Sequence, residues 1–83
     1  MTADKMLAEL GYIKIANDSK TMIYQKQFDN EPYNLVKNIT FYTRDNDISV
    51  ETYLEDELEM TLLSVAELQA INEKMKEMGW IDE

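Results

Sequence analysis

The spacing of the apolar residues changes twice along the chain, and this change most constrains the fold. Residues 3–10 carry apolar side chains at helical spacing, residues 12–54 alternate with a period of two, and residues 64–79 return to helical spacing. A period of two is typical of strands with one buried face. The sequence therefore predicts an α+β fold: a short N-terminal helix, a four-stranded antiparallel β-meander and a C-terminal amphipathic helix packed on one sheet face. With 83 residues, the chain is expected to form a single small domain spanning 1–83.

Capping residues mark the ends of both predicted helices. Thr2 is suited to cap the first helix, and Gly11 follows its last apolar position. Ser64 and Glu67 have the spacing of a capping box at the start of the second helix, and Gly79 is placed to end it. The apolar stripe of this helix is predicted to consist of Val65, Leu68, Ile71, Met75 and Met78.

The alternating segment predicts four strands, with one face toward the helices. The side chains expected on that face are Ile13, Ile15, Met22, Tyr24, Phe28, Leu35, Ile39, Phe41, Ile48, Val50 and Leu54. Asp45 and Asn46 are predicted as the two central residues of a tight hairpin, which would place Phe41 opposite Val50. The polar segment 29–34 is predicted as a loop, and 55–63 fits either a fifth strand or an extended linker.

The net negative charge of the chain comes entirely from its second half. The formal net charge is −9, and residues 1–43 contain five acidic and five basic residues, so the whole excess lies in residues 44–83. An acidic surface repels phosphate, so we expect no direct binding to nucleic acid or to a membrane. A basic or nucleic-acid-binding protein is the favoured partner, and the alternative is that the acidity only maintains solubility.

The residue types present argue against catalysis. The chain has no cysteine and no histidine, and its two glycines are too far apart for a phosphate-binding loop. Asp45–Asp47 begins like a calcium loop, but Val50 stands where glycine is needed, so a hairpin turn is expected. We therefore predict a protein that is not an enzyme and has no cofactor and no metal site. Without an apparent secretory signal or membrane span, the expected location is the cytoplasm.

The candidate partner-binding surface combines tyrosines with carboxylates. Tyrosine is enriched in protein interfaces, and carboxylates select basic partners. Glu55, Glu57 and Glu59 alternate, so in an extended chain they would form an even row of charge resembling a phosphate backbone. The alternative is a solvated, charged sheet edge that prevents aggregation. The predicted partner-binding residues are Tyr42, Glu51, Tyr53, Glu55, Asp56, Glu57 and Glu59.

Several short segments resemble a group of small proteins encoded by phages and prophages of Gram-positive bacteria. The segments are 2–6 (Thr-Ala-Asp-Lys-Met), 10–12 (Leu-Gly-Tyr), 39–41 (Ile-Thr-Phe), 68–72 (Leu-Gln-Ala-Ile-Asn) and 79–80 (Gly-Trp). The resemblance implies a phage origin and a bacterial host. Small acidic phage proteins include inhibitors of host enzymes that bind nucleic acid, anti-CRISPR proteins among them, so an inhibitory, anti-defence role is the expectation by analogy. The alternative is a structural or assembly protein that self-associates, for example as a homodimer.

Overall fold

The computed structural model describes residues 1–28 and 34–81 and has the predicted α+β architecture. The elements are α1 (Ala3–Glu9), β1 (Ile13–Asn17), β2 (Thr21–Phe28), β3 (Leu35–Tyr42), β4 (Asp47–Leu54), β5 (Glu57–Glu59) and α2 (Val65–Glu77). All the strands belong to one antiparallel sheet in the order β1-β2-β3-β4-β5. Segment 57–59 is therefore a short fifth strand, and 60–63 continue outside the sheet. The loop predicted at 29–34 lies, apart from Asn34, outside the described residues.

Side-chain caps start both helices as the sequence predicts. The Thr2 hydroxyl accepts a hydrogen bond from the backbone N–H of Lys5 at 3.2 Å. In α2 the capping box is complete, because the Ser64 hydroxyl accepts from the Glu67 N–H at 3.1 Å and Glu67 Oε1 accepts from the Ser64 N–H at 2.8 Å. Both helix starts are thus fixed by local hydrogen bonds.

Both helices end in a Schellman turn formed by glycine and a following aromatic residue. Gly11 and Gly79 have φ angles of 98° and 75°, a conformation that side chains with a Cβ rarely adopt. The N–H of Tyr12 then donates to a carbonyl of the last turn of α1, and the N–H of Trp80 donates to the Met75 carbonyl, each at 2.9 Å. Each turn also directs an aromatic ring toward the core.

The core lies between the two helices and one face of the sheet. Leu7 of α1 and Ile71 of α2 pack against the central strands. Phe41 is fully buried and makes edge-to-face contacts with the rings of Tyr24 and Trp80, with centroids 5.8 and 6.2 Å apart. The opposite face of the sheet carries no helix in the described part of the chain.

The first strand does not bury the residues that the sequence predicts. Ile13 and Ile15 are 65 % and 47 % exposed, and Ile13 lies opposite Gln25 on the face without helices. A register irregularity between Lys14 and Ala16 interrupts the alternation, and Lys14 takes the helix-side position opposite Tyr24. The prediction was wrong because a bulge changes which residues face the core.

The β3–β4 hairpin has a different register from the predicted one. Phe41 lies opposite Ile48, and Val50 lies opposite Ile39, because four residues, 43–46, connect the strands instead of two. Asn46 adopts a φ of 58° at the end of this connection. The shift is two residues, so the predicted faces of β3 and β4 are kept.

Helix α2 is rotated from its predicted orientation. Val65 and Leu68 are 71 % and 49 % exposed, whereas Ile71 is buried as predicted. Two charged residues, Glu67 and Lys74, occupy buried positions instead. Among the described residues, no helix has both the length and the apolar character needed to cross a membrane.

Candidate partner-binding surface

A buried ion pair between Lys37 and Glu67 joins β3 to α2. The side chains are 8 % and 10 % exposed, and Lys37 Nζ lies 2.8 Å from Glu67 Oε2. The Tyr12 hydroxyl donates to the same carboxylate oxygen, and Lys37 also donates to the Leu62 carbonyl. Burial alone would raise the pKa of Glu67, but the hydrogen bonds from Lys37, Tyr12 and Ser64 outweigh it and lower the pKa to about 2. Glu67 is therefore ionised and fully engaged within the fold.

A second carboxylate, Asp4, connects both helices to the sheet. Its Oδ1 lies 3.1 Å from Lys74 Nζ of α2, and its Oδ2 lies 3.1 Å from Lys14 Nζ of β1. The Tyr24 hydroxyl of β2 also donates to Oδ1. Burial raises the pKa of Asp4, but these hydrogen bonds prevail and lower it to about 2. Because half of this side chain is exposed, water weakens its ion pairs more than that of Glu67.

These ion pairs were not predicted from the sequence, although one feature of β3 indicates a buried charge. Lys37 stands between Leu35 and Ile39, so strict alternation places it on the helix-side face. In the structure it lies directly opposite Lys26. A lysine on a buried face needs a carboxylate partner. That Glu67 is the partner could not be seen, because the capping box already accounted for it.

The acidic residues of the β4–β5 half of the sheet differ from Asp4 and Glu67 in their ion pairing. Residues 45–59 contain seven acidic residues and no lysine, and Arg44 is the single basic residue next to them. None of the ion pairs found in the described chain involves these carboxylates. Within residues 1–28 and 34–81, these carboxylates therefore keep their negative charge without an ion-pair partner.

Three of the predicted binding residues form one network on the face without helices. The Ser49 hydroxyl lies 3.3 Å from both the Tyr42 hydroxyl and Glu51 Oε1. The Tyr53 hydroxyl donates to Glu51 Oε2 at 2.5 Å. This hydrogen bond, followed by a small effect of burial, raises the pKa of Tyr53. Tyr42, Glu51 and Tyr53 therefore form a single tyrosine–carboxylate surface, as the sequence predicts.

Glu55 and Asp56 form the two-residue turn between β4 and β5. Both have a left-handed backbone, with φ angles of 52° and 68°. The Glu55 carboxylate accepts a hydrogen bond from the Asn34 N–H at 2.7 Å, which ties the turn to the start of β3. These two residues lie at the end of the sheet, apart from the tyrosine–carboxylate surface.

Glu57 and Glu59 lie on the other side of the sheet from the tyrosines. They pair with Leu54 and Thr52, which occupy helix-side positions. Between them, Leu58 pairs with Tyr53 on the face without helices and is 66 % exposed. The predicted row of three carboxylates is therefore reduced to two, because Glu55 leaves the strand at the turn.

Comparison of the chain with protein-family models, with curated proteins and with solved structures finds no match. Among residues 1–28 and 34–81, no cluster of three or more acidic side chains is arranged to hold a metal ion.

Proposed function

We propose that this protein is a non-catalytic binding protein that engages a basic protein partner through the β4–β5 half of its sheet. The observation that most supports this proposal is the difference in ion pairing between two sets of carboxylates. Asp4 and Glu67 are held by lysines and tyrosine hydroxyls, whereas the carboxylates of residues 45–59 have no ion-pair partner in the described chain. Unpaired like charges destabilise a small domain slightly, and a basic partner would relieve that repulsion.

The tyrosines beside Glu51, on the face without helices, suit the same role. Tyr42 is 36 % exposed and Tyr53 is partly exposed, and both hydroxyls take part in hydrogen bonds that fix their orientation. A tyrosine held in place loses little conformational entropy when a partner covers it. The surface therefore combines an apolar contact area with negative charge.

The resemblance to small phage proteins suggests the class of partner. Under this proposal the protein is of phage origin and acts in the bacterial cytoplasm, where it blocks the nucleic-acid site of a host enzyme, as in an anti-CRISPR or other anti-defence role. Such a site is basic because it neutralises phosphates. Glu57 and Glu59, two residues apart on one side of β5, would occupy part of it.

The test is an affinity pull-down from bacterial lysate at low and high salt. We expect a basic, nucleic-acid-binding protein to be captured at low salt, and the variant Glu57→Lys/Glu59→Lys to lose it. The variant Glu73→Lys, with a reversed charge on α2, is the control and should retain it. The captured protein should also bind its nucleic acid less tightly in the presence of the wild-type chain. Capture that is equal in all variants, or no basic partner at any salt concentration, would contradict the proposal.

The alternative function is self-assembly, favoured by the exposed apolar side chains. Met60, Leu62 and Val65 are 82 %, 73 % and 71 % exposed, which is unusual for neighbouring positions in a small monomer. Sedimentation equilibrium at tens of micromolar separates the two functions. A monomer under these conditions would remove the support for self-assembly.

A further inference from the structure

Apolar clefts lie along the helix-side surface, between the sheet, the C-terminal end of α1 and the N-terminal end of α2. At the β5 end, Met60 and Leu62 line a cleft of about 180 Å³ with Phe28 and Leu35. Leu62 and Phe28 also line the adjoining cleft of about 400 Å³, which reaches Leu10. The two clefts adjoin because Leu62 and Phe28 line both, and together with a third cleft, between α1 and α2, they are called the groove.

The far end of the groove lies between α1 and α2. A third cleft, of about 160 Å³, begins at Leu10 and is lined by Met1 and Met6. Methionine side chains are flexible and polarisable, so they adapt to apolar residues of different shapes. Met1 and Met60, at opposite ends of the groove, are 72 % and 82 % exposed. The groove thus has an adaptable apolar surface at both ends.

The rim of the groove is acidic. Glu59 lies opposite Thr52, which lines the cleft of Met60, and Glu57 is on the same side of β5. Glu9 lines the cleft at the other end. Of the two lysines that line the central cleft, Lys37 is paired with Glu67, whereas Lys26 lies over the Phe28 ring, 5.0 Å from its centroid, and keeps its positive charge.

We propose that this groove binds a basic amphipathic helix of a partner protein. Its apolar face would contact the methionines and Leu62, and its lysines or arginines would meet Glu9, Glu57 and Glu59. This deepens the proposed function and depends on it, because it assigns a form to the basic partner. At this end of the sheet, a helix-in-groove mode is favoured over strand addition because the edge strand beside the groove, β5, has only three residues.

Charge argues against a second copy of this chain as the occupant. Each copy has a formal net charge of −9, so a symmetric dimer through the groove would bring two acidic rims together. A basic helix would be attracted electrostatically by the same acidic rim. Charge complementarity therefore selects the partner, and the apolar surface supplies contact area.

The probe is a synthetic leucine–lysine peptide of about 18 residues, long enough for five helical turns, with leucines on one helical face. Calorimetry is performed with this peptide, with a scrambled peptide of the same composition and with a version that has glutamate in place of lysine. We expect the amphipathic basic peptide to bind at least about tenfold more tightly than either control. Equal binding of the scrambled peptide would overturn the proposal, because only charge would then be recognised.

The matched variants are Met60→Gln/Leu62→Gln in the groove and Leu58→Gln on the opposite face. All three side chains are at least 66 % exposed, so the substitutions should not affect folding, which thermal unfolding checks. We expect the groove variant to weaken peptide binding at least about tenfold and Leu58→Gln to leave it unchanged. Equal loss in both variants would overturn the groove assignment.

Two further variants on the face without helices, Tyr53→Ala and Glu51→Gln, distinguish failure of this inference from failure of the proposed function. If the captured partner is lost with Tyr53→Ala and Glu51→Gln but retained by the groove variant, the proposed function stands and the groove assignment is wrong. If neither a lysate protein nor the basic peptide binds the wild-type chain more tightly than the variants, both the proposed function and the groove assignment are wrong. A dimer that Met60→Gln/Leu62→Gln disrupts would identify a second copy as the occupant and overturn the inference.

Discussion

The two parts of the molecule use their carboxylates differently. Where the helices meet the sheet, Asp4 and Glu67 each accept hydrogen bonds from a tyrosine and pair with lysine. In the β4–β5 half, residues such as Glu57 and Glu59 lie on the surface without an ion-pair partner in the described chain. One chemical group thus stabilises the fold in one region and, under the proposed function, binds a partner in the other. Net charge alone does not distinguish these roles, whereas burial and pairing do.

The largest expected effect comes from removing the charge of Glu67. Glu67→Gln leaves Lys37 as a buried charge without a counterion, which should lower the free energy of unfolding by roughly 3–5 kcal/mol. Urea unfolding measures the change, and Glu73→Gln on the same helix is the control, expected within about 0.5 kcal/mol of wild type. The double variant Lys37→Met/Glu67→Gln should recover at least half of the loss. If it recovers none, the buried ion pair is not the cause.

Acid should reproduce this loss in the unmodified protein. The folded pKa of both Asp4 and Glu67 is about 2, below the ordinary values of 3.8 and 4.5. A lowered pKa means that the stabilisation is fully present above the ordinary value and is lost as the pH falls toward the folded one. The free energy of unfolding should therefore decrease between about pH 5 and pH 2. The decrease should be smaller in Glu67→Gln, and an identical pH profile would contradict the assignment.

A smaller loss is expected from Asp4→Asn, because this site is partly hydrated. The Asp4 side chain is 49 % exposed, so its ion pairs with Lys14 and Lys74 are weakened by water. The substitution should lower the free energy of unfolding by about 1 kcal/mol, measured by urea unfolding. A loss as large as that of Glu67→Gln would mean that exposure does not separate the two sites.

A gain in stability is expected from a substitution at the β4–β5 turn. Asp56 has a φ of 68°, which glycine adopts without steric cost, so Asp56→Gly should raise the free energy of unfolding by about 0.5–1 kcal/mol. Gly79→Ala should lower the free energy of unfolding by a similar amount, because alanine is strained at the φ of 75° that Gly79 adopts. The space around the added Cβ is open, so no steric clash with neighbouring atoms adds to this loss. Thermal unfolding compares the two variants. A destabilised Asp56→Gly would show that the Asp56 carboxylate contributes to the fold.

The sequence predicted most of the local structure but not the buried charges. Gly11 and Gly79 mark the helix ends, since a left-handed cap depends on a single residue. The hairpin register was missed because a four-residue and a two-residue connection fit the same alternation, and Asn46 is compatible with either. Ile13 was misplaced because a bulge leaves no signal in a short strand. Long-range pairing, not local pattern, decides these features.

The candidate surface was predictable only where local strand alternation determines the face on which a residue lies. Tyr42, Glu51 and Tyr53 share a face because strand alternation alone places them there. Glu57 and Glu59 could not be placed, because their side of the sheet depends on the length of the turn at Glu55. The structure thus divides the predicted binding residues between the two faces of the sheet and the β4–β5 turn.

The most direct test of the two carboxylate roles compares Asp4→Asn with Glu59→Gln, each of which removes a single negative charge. Urea unfolding and affinity for the basic amphipathic peptide are measured on both variants in the same buffer. We predict that Asp4→Asn lowers stability and leaves peptide affinity unchanged, whereas Glu59→Gln stays within about 0.5 kcal/mol of wild-type stability and weakens peptide binding. Equal changes in peptide affinity, or equal losses of stability, would contradict the division of roles.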